Sequence, residues 1–471
     1  MRRILIGAAL AASVASLAAQ SRPVQPDWAT LEPEILKHFQ ALVRMNTTDP
    51  PGGEKPAVDY LKQTLEQEGI PVETFALEAN RPNLVARLKG SGKKKPLLIM
   101  GHTDTVNIDE KKWSFPPFSA ERNGGYIYGR GTVDDKDNTA AALMVMLTLK
   151  RQQVPLDRDV IFLAEAGEEG TTRVGIEYMA NQHYSAIDAE YCFAEGGGLV
   201  REGGQVKFAN VQTLEKIPRA IELTAHGPAG HGSVPLKGNA VVHLATAVQK
   251  AAEWRVPIRL NETTRVYFER LAQMSTPEDA ARFRALLSND RRVSGPADDY
   301  LLENRPNLAS MIRTSISPTM IQAGYRVNVI PSEVKATLDV RMHPSDNVDE
   351  FLDQLKKQIN DPNVDVKWAA RDVRPGTGSA RLDFEGFTTT EAAIKSVYGV
   401  TTLPTMSTGA TDMAYLRAKG MQCYGIGPAL DMEDGPKGFG AHSDQERINE
   451  SELYRFVRFN YLAVLDLARA K

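Results

Sequence analysis

Residues 97–106 read Leu-Leu-Ile-Met-Gly-His-Thr-Asp-Thr-Val, a short apolar run followed by glycine and alternating imidazole, hydroxyl and carboxylate groups. An apolar run of this length that stops at a glycine is typical of a buried strand in a parallel sheet. Residues two apart on an extended backbone point to the same side, so the carboxylate of Asp104 can approach the imidazole of His102. It can then hold the ring while the second ring nitrogen binds a metal ion.

Three further segments carry carboxylates directly behind a predicted strand or a glycine-rich turn. They are residues 128–136 (Tyr-Gly-Arg-Gly-Thr-Val-Asp-Asp-Lys), 162–170 (Phe-Leu-Ala-Glu-Ala-Gly-Glu-Glu-Gly) and 193–198 (Phe-Ala-Glu-Gly-Gly-Gly). Each of them alone also fits a solvated loop, a helix cap or a charged surface. Together they indicate one crevice, because open α/β sheets bind their ligands at the carboxyl ends of the strands.

Many carboxylates in one crevice indicate cations between them, because like charges raise each other's pKa and repel. Asp134 is placed to bridge two such cations. Of the adjacent pair Glu168 and Glu169, one can bind metal while its neighbour acts as a general base toward water. Far downstream, residues 440–446 (Gly-Ala-His-Ser-Asp-Gln-Glu) supply a second imidazole, His442, which by itself indicates nothing.

Length and composition narrow the class of protein. At 471 residues the chain exceeds what one hydrophobic core usually organises, so two domains are expected. Lys plus Arg total 56 and Asp plus Glu 59, a net charge of -3, which gives no electrostatic reason for a nucleic acid or an anionic membrane as partner. Cys192 and Cys423 are the only cysteines, so a metal site must be built from imidazoles and carboxylates, and the sequence does not decide whether the two thiols are paired.

Residues 1–19 have the pattern of a signal peptide. Arg2 and Arg3 form a basic start, an apolar stretch covers 4–17, and small residues follow at 16–19. The stretch is shorter than the roughly 20 residues that cross a bilayer, which favours cleavage over a membrane anchor. The expected location is the periplasm or the outside of the cell.

The order of predicted strands and helices favours an α/β fold with two domains. Strands alternate with helices as far as about residue 218, which predicts a three-layer α/β/α domain with a mostly parallel sheet. An alternating strand at 219–224 then begins a smaller α+β domain, in which we place the charged, Pro-containing segment 263–311. The expected division is a signal peptide (1–19), a discontinuous catalytic domain (23–218 and 373–471) and an inserted domain (219–372).

In combination, the motifs resemble those of the zinc peptidase family that includes glutamate carboxypeptidase, aminoacylase, acetylornithine deacetylase and succinyl-diaminopimelate desuccinylase. The resemblance implies two Zn²⁺ per subunit, with Co²⁺ or Mn²⁺ as substitutes. It implies that Asp104 orients His102, that Glu168 is the base, and that the Asp134–Asp135 bond is cis. The implied ligands are His102, Asp134 and Glu195 for one ion, and Asp134, Glu169 and His442 for the other.

The inserted domain resembles the lid and dimerisation domain of the same family. His231 matches a residue that stabilises the oxyanion, in dimeric relatives within the partner's active site. Asn328 and Arg341 match positions that hold the substrate carboxylate, and Gly409 and Thr411 lie in a loop that resembles a substrate-lining loop. The resemblance therefore implies a small peptide or an N-acyl amino acid as substrate and allows a homodimer formed through the lid.

Two departures from the family pattern concern substrate choice. Asp137 stands where relatives commonly have glycine, and the lid is lengthened by residues 263–311. Both features are closer to secreted or vacuolar carboxypeptidases that act on N-acylated amino acids and Gly-Xaa dipeptides. Glu195 is similar to the residue in acylases, deacylases and carboxypeptidases, whereas dipeptidases and tripeptidases often carry aspartate there.

The expected function is hydrolysis of an amide bond next to a free carboxylate. One alternative is a co-catalytic zinc aminopeptidase or a dipeptidase. An aminopeptidase would need no carboxylate-binding arginine in a lid. The other alternative is a metal-bound binding protein without activity, against which the intact pair Glu168 and Glu169 argues.

Overall fold

The computed structural model describes residues 25–370 and 373–470. The expected signal peptide at 1–19 lies outside the described residues, as do the first two residues of the expected catalytic domain. The α/β class is confirmed: the structure has a large ten-stranded sheet covered by helices and a separate four-stranded sheet.

The described residues form nineteen strands, which are numbered here in chain order. They are β1 (Val72–Ala76), β2 (Pro82–Leu88), β3 (Leu97–His102), β4 (Glu121–Asn123), β5 (Tyr126–Tyr128), β6 (Val160–Glu165), β7 (Tyr191–Ala194), β8 (Gly197–Glu202), β9 (Gln205–Glu215), β10 (Ile217–His226), β11 (Gly230–His231), β12 (Ser315–Gln322), β13 (Val329–Ile330), β14 (Glu333–Met342), β15 (Val364–Trp368), β16 (Thr401–Ser407), β17 (Gln422–Gly425), β18 (Ala429–Asp431) and β19 (Arg447–Asn449).

Fourteen α-helices lie in the same described ranges. They are α1 (Trp28–Val43), α2 (Lys55–Gln67), α3 (Lys136–Arg151), α4 (Ile176–Gln182), α5 (Tyr184–Ile187), α6 (Ala240–Glu253), α7 (Glu262–Met274), α8 (Pro277–Leu286), α9 (Arg291–Asn304), α10 (Pro306–Met311), α11 (Val348–Ile359), α12 (Glu385–Tyr398), α13 (Met413–Ala418) and α14 (Glu450–Ala468). None of the described helices is long and apolar enough to cross a bilayer.

The large sheet is parallel at its centre and has both parallel and antiparallel pairs toward its edges. Its strand order is β1-β2-β6-β3-β7-β17-β9-β8-β18, with β16 paired to β9. Strand β3 runs parallel to β6 and β7, and β17 runs parallel to β7. Strands β1, β2 and β6 pair antiparallel, as do β8 and β9, which a tight turn joins. Parallel pairs also join β8 to β18 and β9 to β16, whereas β9 pairs antiparallel with β17. The sheet is therefore mixed rather than mostly parallel.

Both faces of the large sheet are covered by helices. Leu97 and Ile99 pack into a core formed with α1, α2, α3, α12 and α14, whereas Leu98 and Met100 pack into a core with α4 and α13. This alternation is the period of two expected of a strand that is buried on both sides. Cys192 and Cys423 lie side by side on β7 and β17, and both are buried free thiols.

The four-stranded sheet is antiparallel, in the order β12-β14-β10-β15, with α6 and α11 packed on one face. The chain passes directly from β9 of the large sheet to β10 of the small sheet at Lys216. It returns to the large sheet after β15, so the small sheet is inserted into the larger unit.

Helices α7 to α10 pack on the large sheet rather than on the small one. The sequence places residues 263–311 in the small domain, but the apolar side of these helices forms one core with Leu214 of β9 and with Leu403 and Met406 of β16. An amphipathic helix buries its apolar stripe against whichever apolar surface is available. The outer face of β16 supplies that surface.

We predict that Leu403→Ala lowers the free energy of unfolding by about 2 to 5 kcal/mol, because a fully buried leucine loses its contacts with the inserted helices. Urea denaturation measures the change. Thr401→Ala on the same strand is the control, since Thr401 is exposed and its change should stay below about 0.5 kcal/mol. Equal stability of Leu403→Ala and the unsubstituted protein would contradict the packing of the insert on β16.

Candidate metal centre

The carboxyl ends of the three central parallel strands meet at one edge of the large sheet. Strand β3 ends at His102, β6 leads to Glu168 and Glu169, and β7 leads to Glu195. Asp134 reaches the same edge from the turn before α3, and His442 reaches it from the loop before β19. The structure therefore gathers side chains from five distant stretches of the chain.

His102, Asp134 and Glu195 form a first group that could hold a metal ion. Each offers one ligand atom, and these atoms lie within 4.8 Å of one another. His102 Nε2 is 3.0 Å from Asp134 Oδ1. The imidazole is buried, so the core fixes its position.

Asp134, Glu169 and His442 form a second group by the same criterion. His442 Nε2 lies 3.1 Å from Asp134 Oδ2 and 2.9 Å from Glu169 Oε2. Asp134 thus belongs to both groups and directs one carboxylate oxygen to each imidazole. A carboxylate shared in this way could bridge two cations, one held by each group.

The electrostatics of these groups fit divalent cations. Burial raises the pKa of Glu169 to about 7, and burial together with the charge of Glu168 raises the pKa of Glu195 well above its usual range. Glu169 Oε1 is buried without a hydrogen-bond partner among the described residues. Each group has three imidazole or carboxylate donors, which leaves a coordination position open, as in catalytic zinc sites.

Asp134 differs from Glu169 and Glu195, the other two carboxylates of the metal groups. Burial raises its pKa, but the hydrogen bonds from His102 and His442 outweigh burial and hold the pKa of Asp134 below its usual range. Of the three carboxylates in the two metal groups, that of Asp134 is therefore the most readily ionised.

Asp104 holds the metal centre in two ways. His102 Nδ1 lies 3.1 Å from the backbone oxygen of Asp104, while the Asp104 carboxylate is 3.5 Å away. That carboxylate accepts hydrogen bonds from the backbone N–H groups of Glu168 (3.2 Å) and Glu169 (3.0 Å). The sequence predicts that Asp104 orients His102. In the structure the backbone oxygen and the carboxylate of Asp104 both face His102 Nδ1, and the carboxylate also positions the two glutamates.

A residue that the sequence did not indicate, Glu446, joins the Asp134 turn to the His442 loop. Its carboxylate accepts hydrogen bonds from the backbone N–H groups of Gly131 (3.0 Å) and Val133 (2.6 Å) and from Arg130 Nη1 (2.8 Å). The Arg130 guanidinium also donates to the backbone oxygen of Ser443 at 2.7 Å. Both segments lie inside recognised motifs, but their pairing spans more than 300 residues and is not visible in the sequence.

The Asp134–Asp135 peptide bond is cis, as the family resemblance predicts. Asp135 accepts a hydrogen bond from the backbone N–H of His102 at 3.1 Å. Asp137, the departure from the family pattern, is fully buried, and burial raises its pKa well above the usual range. Its side chain is therefore enclosed by protein and not exposed to solvent.

The lid residues lie apart from the metal centre. His231 and Asn328 are exposed neighbours on the β11–β13 ribbon, where the Gly232 N–H donates to the Asn328 backbone oxygen at 2.9 Å. Arg341 on β14 is partly exposed, and its Nε lies 2.8 Å from Asp339 Oδ2. No hydrogen bond or ion pair among the described residues connects these three side chains to the cluster.

Gly409 and Thr411 lie in the loop that follows β16. The hydroxyl of Thr411 donates to Glu215 Oε2 at 2.8 Å, and its backbone N–H donates to Glu215 Oε1 at 3.1 Å. The Gly409 N–H donates to the Ser407 hydroxyl at 3.0 Å. Thr411 is buried, and its hydrogen bonds to Glu215 fix the loop.

The chain belongs to the peptidase family M20/M25/M40. The family model matches residues 98–466, which include every member of both metal groups.

Two curated relatives and one solved structure illustrate the similarity. A probable carboxypeptidase S-like 2 of Dictyostelium discoideum is 29% identical over 340 residues, which are 70% of this chain and 64% of the relative. An N-fatty-acyl-amino acid synthase/hydrolase of Xenopus tropicalis is 28% identical over 375 residues, 77% of this chain and 71% of the relative. An M20 family metallo-carboxypeptidase of Sulfolobus solfataricus shares the fold with a TM-score of 0.66 at 19% identity, over 93% of this chain and 99% of that one.

We predict that His442→Ala reduces the bound divalent cation from two to one per chain, because the group around His102 stays intact. Elemental analysis after dialysis against metal-free buffer measures the content. His226→Ala, an exposed histidine of the small sheet that pairs with Glu333 and Asp365, should retain two ions. Unchanged metal content in His442→Ala would exclude His442 as a ligand.

Proposed function

We propose that the protein is an exported dinuclear zinc hydrolase that cleaves an amide bond next to a free carboxylate, with N-acyl amino acids as the preferred substrates. The supporting observation is that Asp134 is shared by two imidazole–carboxylate groups, while Glu168 stands beside them outside both groups. A carboxylate that binds no metal but adjoins a metal ligand is suited to move protons.

Zinc is the proposed metal because both groups combine imidazole nitrogen with carboxylate oxygen and contain no thiolate. Co²⁺ and Mn²⁺ are the expected substitutes. Two such ions supply Lewis acidity that lowers the pKa of a water molecule and polarises the scissile carbonyl.

Side chains of the protein would carry out the proton transfers. Glu168 takes the proton of the attacking water and passes it to the leaving nitrogen. Asp104 keeps Glu168 in place through its hydrogen bond to the backbone N–H of that residue. Because the Glu168 side chain is only 10% exposed, few water molecules compete for the proton.

His231 is the proposed oxyanion donor. Its Nδ1 accepts a hydrogen bond from the Ser233 backbone N–H at 3.1 Å, so in the neutral ring the proton is on Nε2. Nε2 is therefore the nitrogen that donates to a developing oxyanion. Because the lid residues make no contact with the metal centre, this role requires closure of the lid, or a homodimer in which the partner's lid supplies the histidine.

Arg341 and Asn328 are the proposed ligands of the substrate carboxylate. A guanidinium binds a carboxylate with two parallel hydrogen bonds, which fixes both position and orientation. Asp339 aligns the Arg341 side chain along β14 through their 2.8 Å contact. The names of the two curated relatives, one a carboxypeptidase and one an N-fatty-acyl-amino acid hydrolase, support a substrate with a free carboxylate.

The proposal is tested with a panel of N-acyl amino acids, Gly-Xaa dipeptides and carboxyl-blocked peptides, assayed with and without a chelator. We expect hydrolysis of N-acyl amino acids that the chelator abolishes and added Zn²⁺ restores. Preferred cleavage of carboxyl-blocked peptides would instead identify an aminopeptidase, and preferred cleavage of dipeptides a dipeptidase. Absence of all hydrolysis by zinc-loaded protein would identify a binding protein.

The role of Glu168 is tested by Glu168→Gln. This change preserves the shape of the side chain but removes its basicity, so we expect retained metal and a turnover lower by about two to four orders of magnitude. Glu202→Gln, at an exposed glutamate, serves as the control and should keep full activity. Wild-type turnover by Glu168→Gln with both ions bound would exclude the role.

A further inference from the structure

The segment that returns the chain from the small sheet to α12 inserts an arginine, Arg374, beside the metal centre. Only 15% of its side chain is exposed. Its Nη1 lies 2.7 Å from Glu168 Oε1, and its Nη2 donates to the backbone oxygen of Glu168 at 3.0 Å. One guanidinium therefore contacts both the carboxylate and the backbone of the residue proposed as the base.

The same guanidinium extends to a second loop. Arg374 Nη1 is 3.4 Å from Asp412 Oδ1, which lies just before α13. On the opposite side, Asp104 holds the backbone N–H of Glu168. Glu168 is thus held at its N–H by Asp104, and at its carbonyl and carboxylate by Arg374.

We propose that Arg374 is a positioning residue that fixes the Glu168 carboxylate and connects it to the return segment of the lid. The inference rests on the proposed function, because it needs Glu168 to act as the base. A planar guanidinium suits this task, since its two nitrogens contact two different oxygens of one residue in a fixed geometry. Lysine offers a similar charge but only one nitrogen.

Arg374 belongs to neither sheet. It is six residues beyond Trp368, the last residue of the small sheet, and precedes α12. The guanidinium therefore reaches Glu168 from the linker between the two units and not from the elements that carry the metal groups.

The test compares Arg374→Ala and Arg374→Lys with the unsubstituted protein, using the best N-acyl amino acid of the panel. A misplacement of about 1 Å at a reacting group costs on the order of 100-fold in rate. For Arg374→Ala we therefore expect kcat to fall about 10- to 100-fold, with KM within about twofold and the zinc content unchanged. Arg374→Lys should have an intermediate kcat.

Chemical rescue separates positioning from a purely structural role. Guanidinium ion, added to Arg374→Ala well below denaturing concentrations, should recover part of kcat because it can occupy the vacated position beside Glu168. Arg381→Ala is the matched control: Arg381 lies on the same segment, is exposed and pairs with Asp383, so kcat should not change. Zinc content and the melting temperature are recorded for every variant.

Several results would overturn the inference. A wild-type kcat in Arg374→Ala would do so, as would a rise in KM at constant kcat, which would make Arg374 a substrate ligand. Loss of zinc without rescue would assign it a structural role. If Arg374→Ala does not fold, a wild-type kcat in Arg374→Lys would contradict the proposed positioning role of Arg374. If the unsubstituted protein hydrolyses no substrate, the proposed function and the inference are both refuted. If it is active, a wild-type kcat in Arg374→Ala refutes the inference alone.

Discussion

Negative charge is concentrated at one edge of the large sheet, and the neighbouring groups are arranged to hold it there. Burial opposes ionisation of Glu169 and Glu195, while two imidazoles favour ionisation of Asp134. The crowded carboxylates lie at strand ends whose positions the buried core determines, so they cannot separate to relieve their repulsion. Divalent cations held by the two groups would relieve this repulsion, so the rigid core favours metal binding.

Two carboxylates that belong to neither metal group, those of Asp104 and Glu446, hold the loops of the metal centre in place. Asp104 accepts the backbone N–H groups of Glu168 and Glu169, and Glu446 accepts those of the turn before Asp134. A buried backbone N–H needs an acceptor, and a loop has no regular partner strand to provide one. A side-chain carboxylate from another segment fills this role and determines where the ligand residues lie.

The sequence predicts well what depends on local pattern. The strand that begins at 97 and the strand at 219–224 follow from an apolar run and from an alternating pattern, and both are present. The members of the two metal groups could be predicted from the sequence, because each of them follows an apolar strand or lies in a glycine-containing motif. The antiparallel pairs of β6 with β2 and of β9 with β17, and the packing of the insert, depend on which distant strand or surface is available. No local pattern in the sequence indicates this. The contact between Arg374 and Glu168 spans 206 residues and has no motif at the arginine, so it emerges only in the structure.

The helices α7 to α10 give the small sheet a second attachment to the large one. Their chain leaves the small unit after α6 and rejoins it at β12, yet their apolar side is buried against β16. The small sheet is therefore tethered at four points of the chain: at Lys216, on the two arms of the insert, and along the segment that carries Arg374. Tethers distributed in this way oppose free rotation of the small sheet against the large one, because any change in its orientation has to be accommodated at all four places.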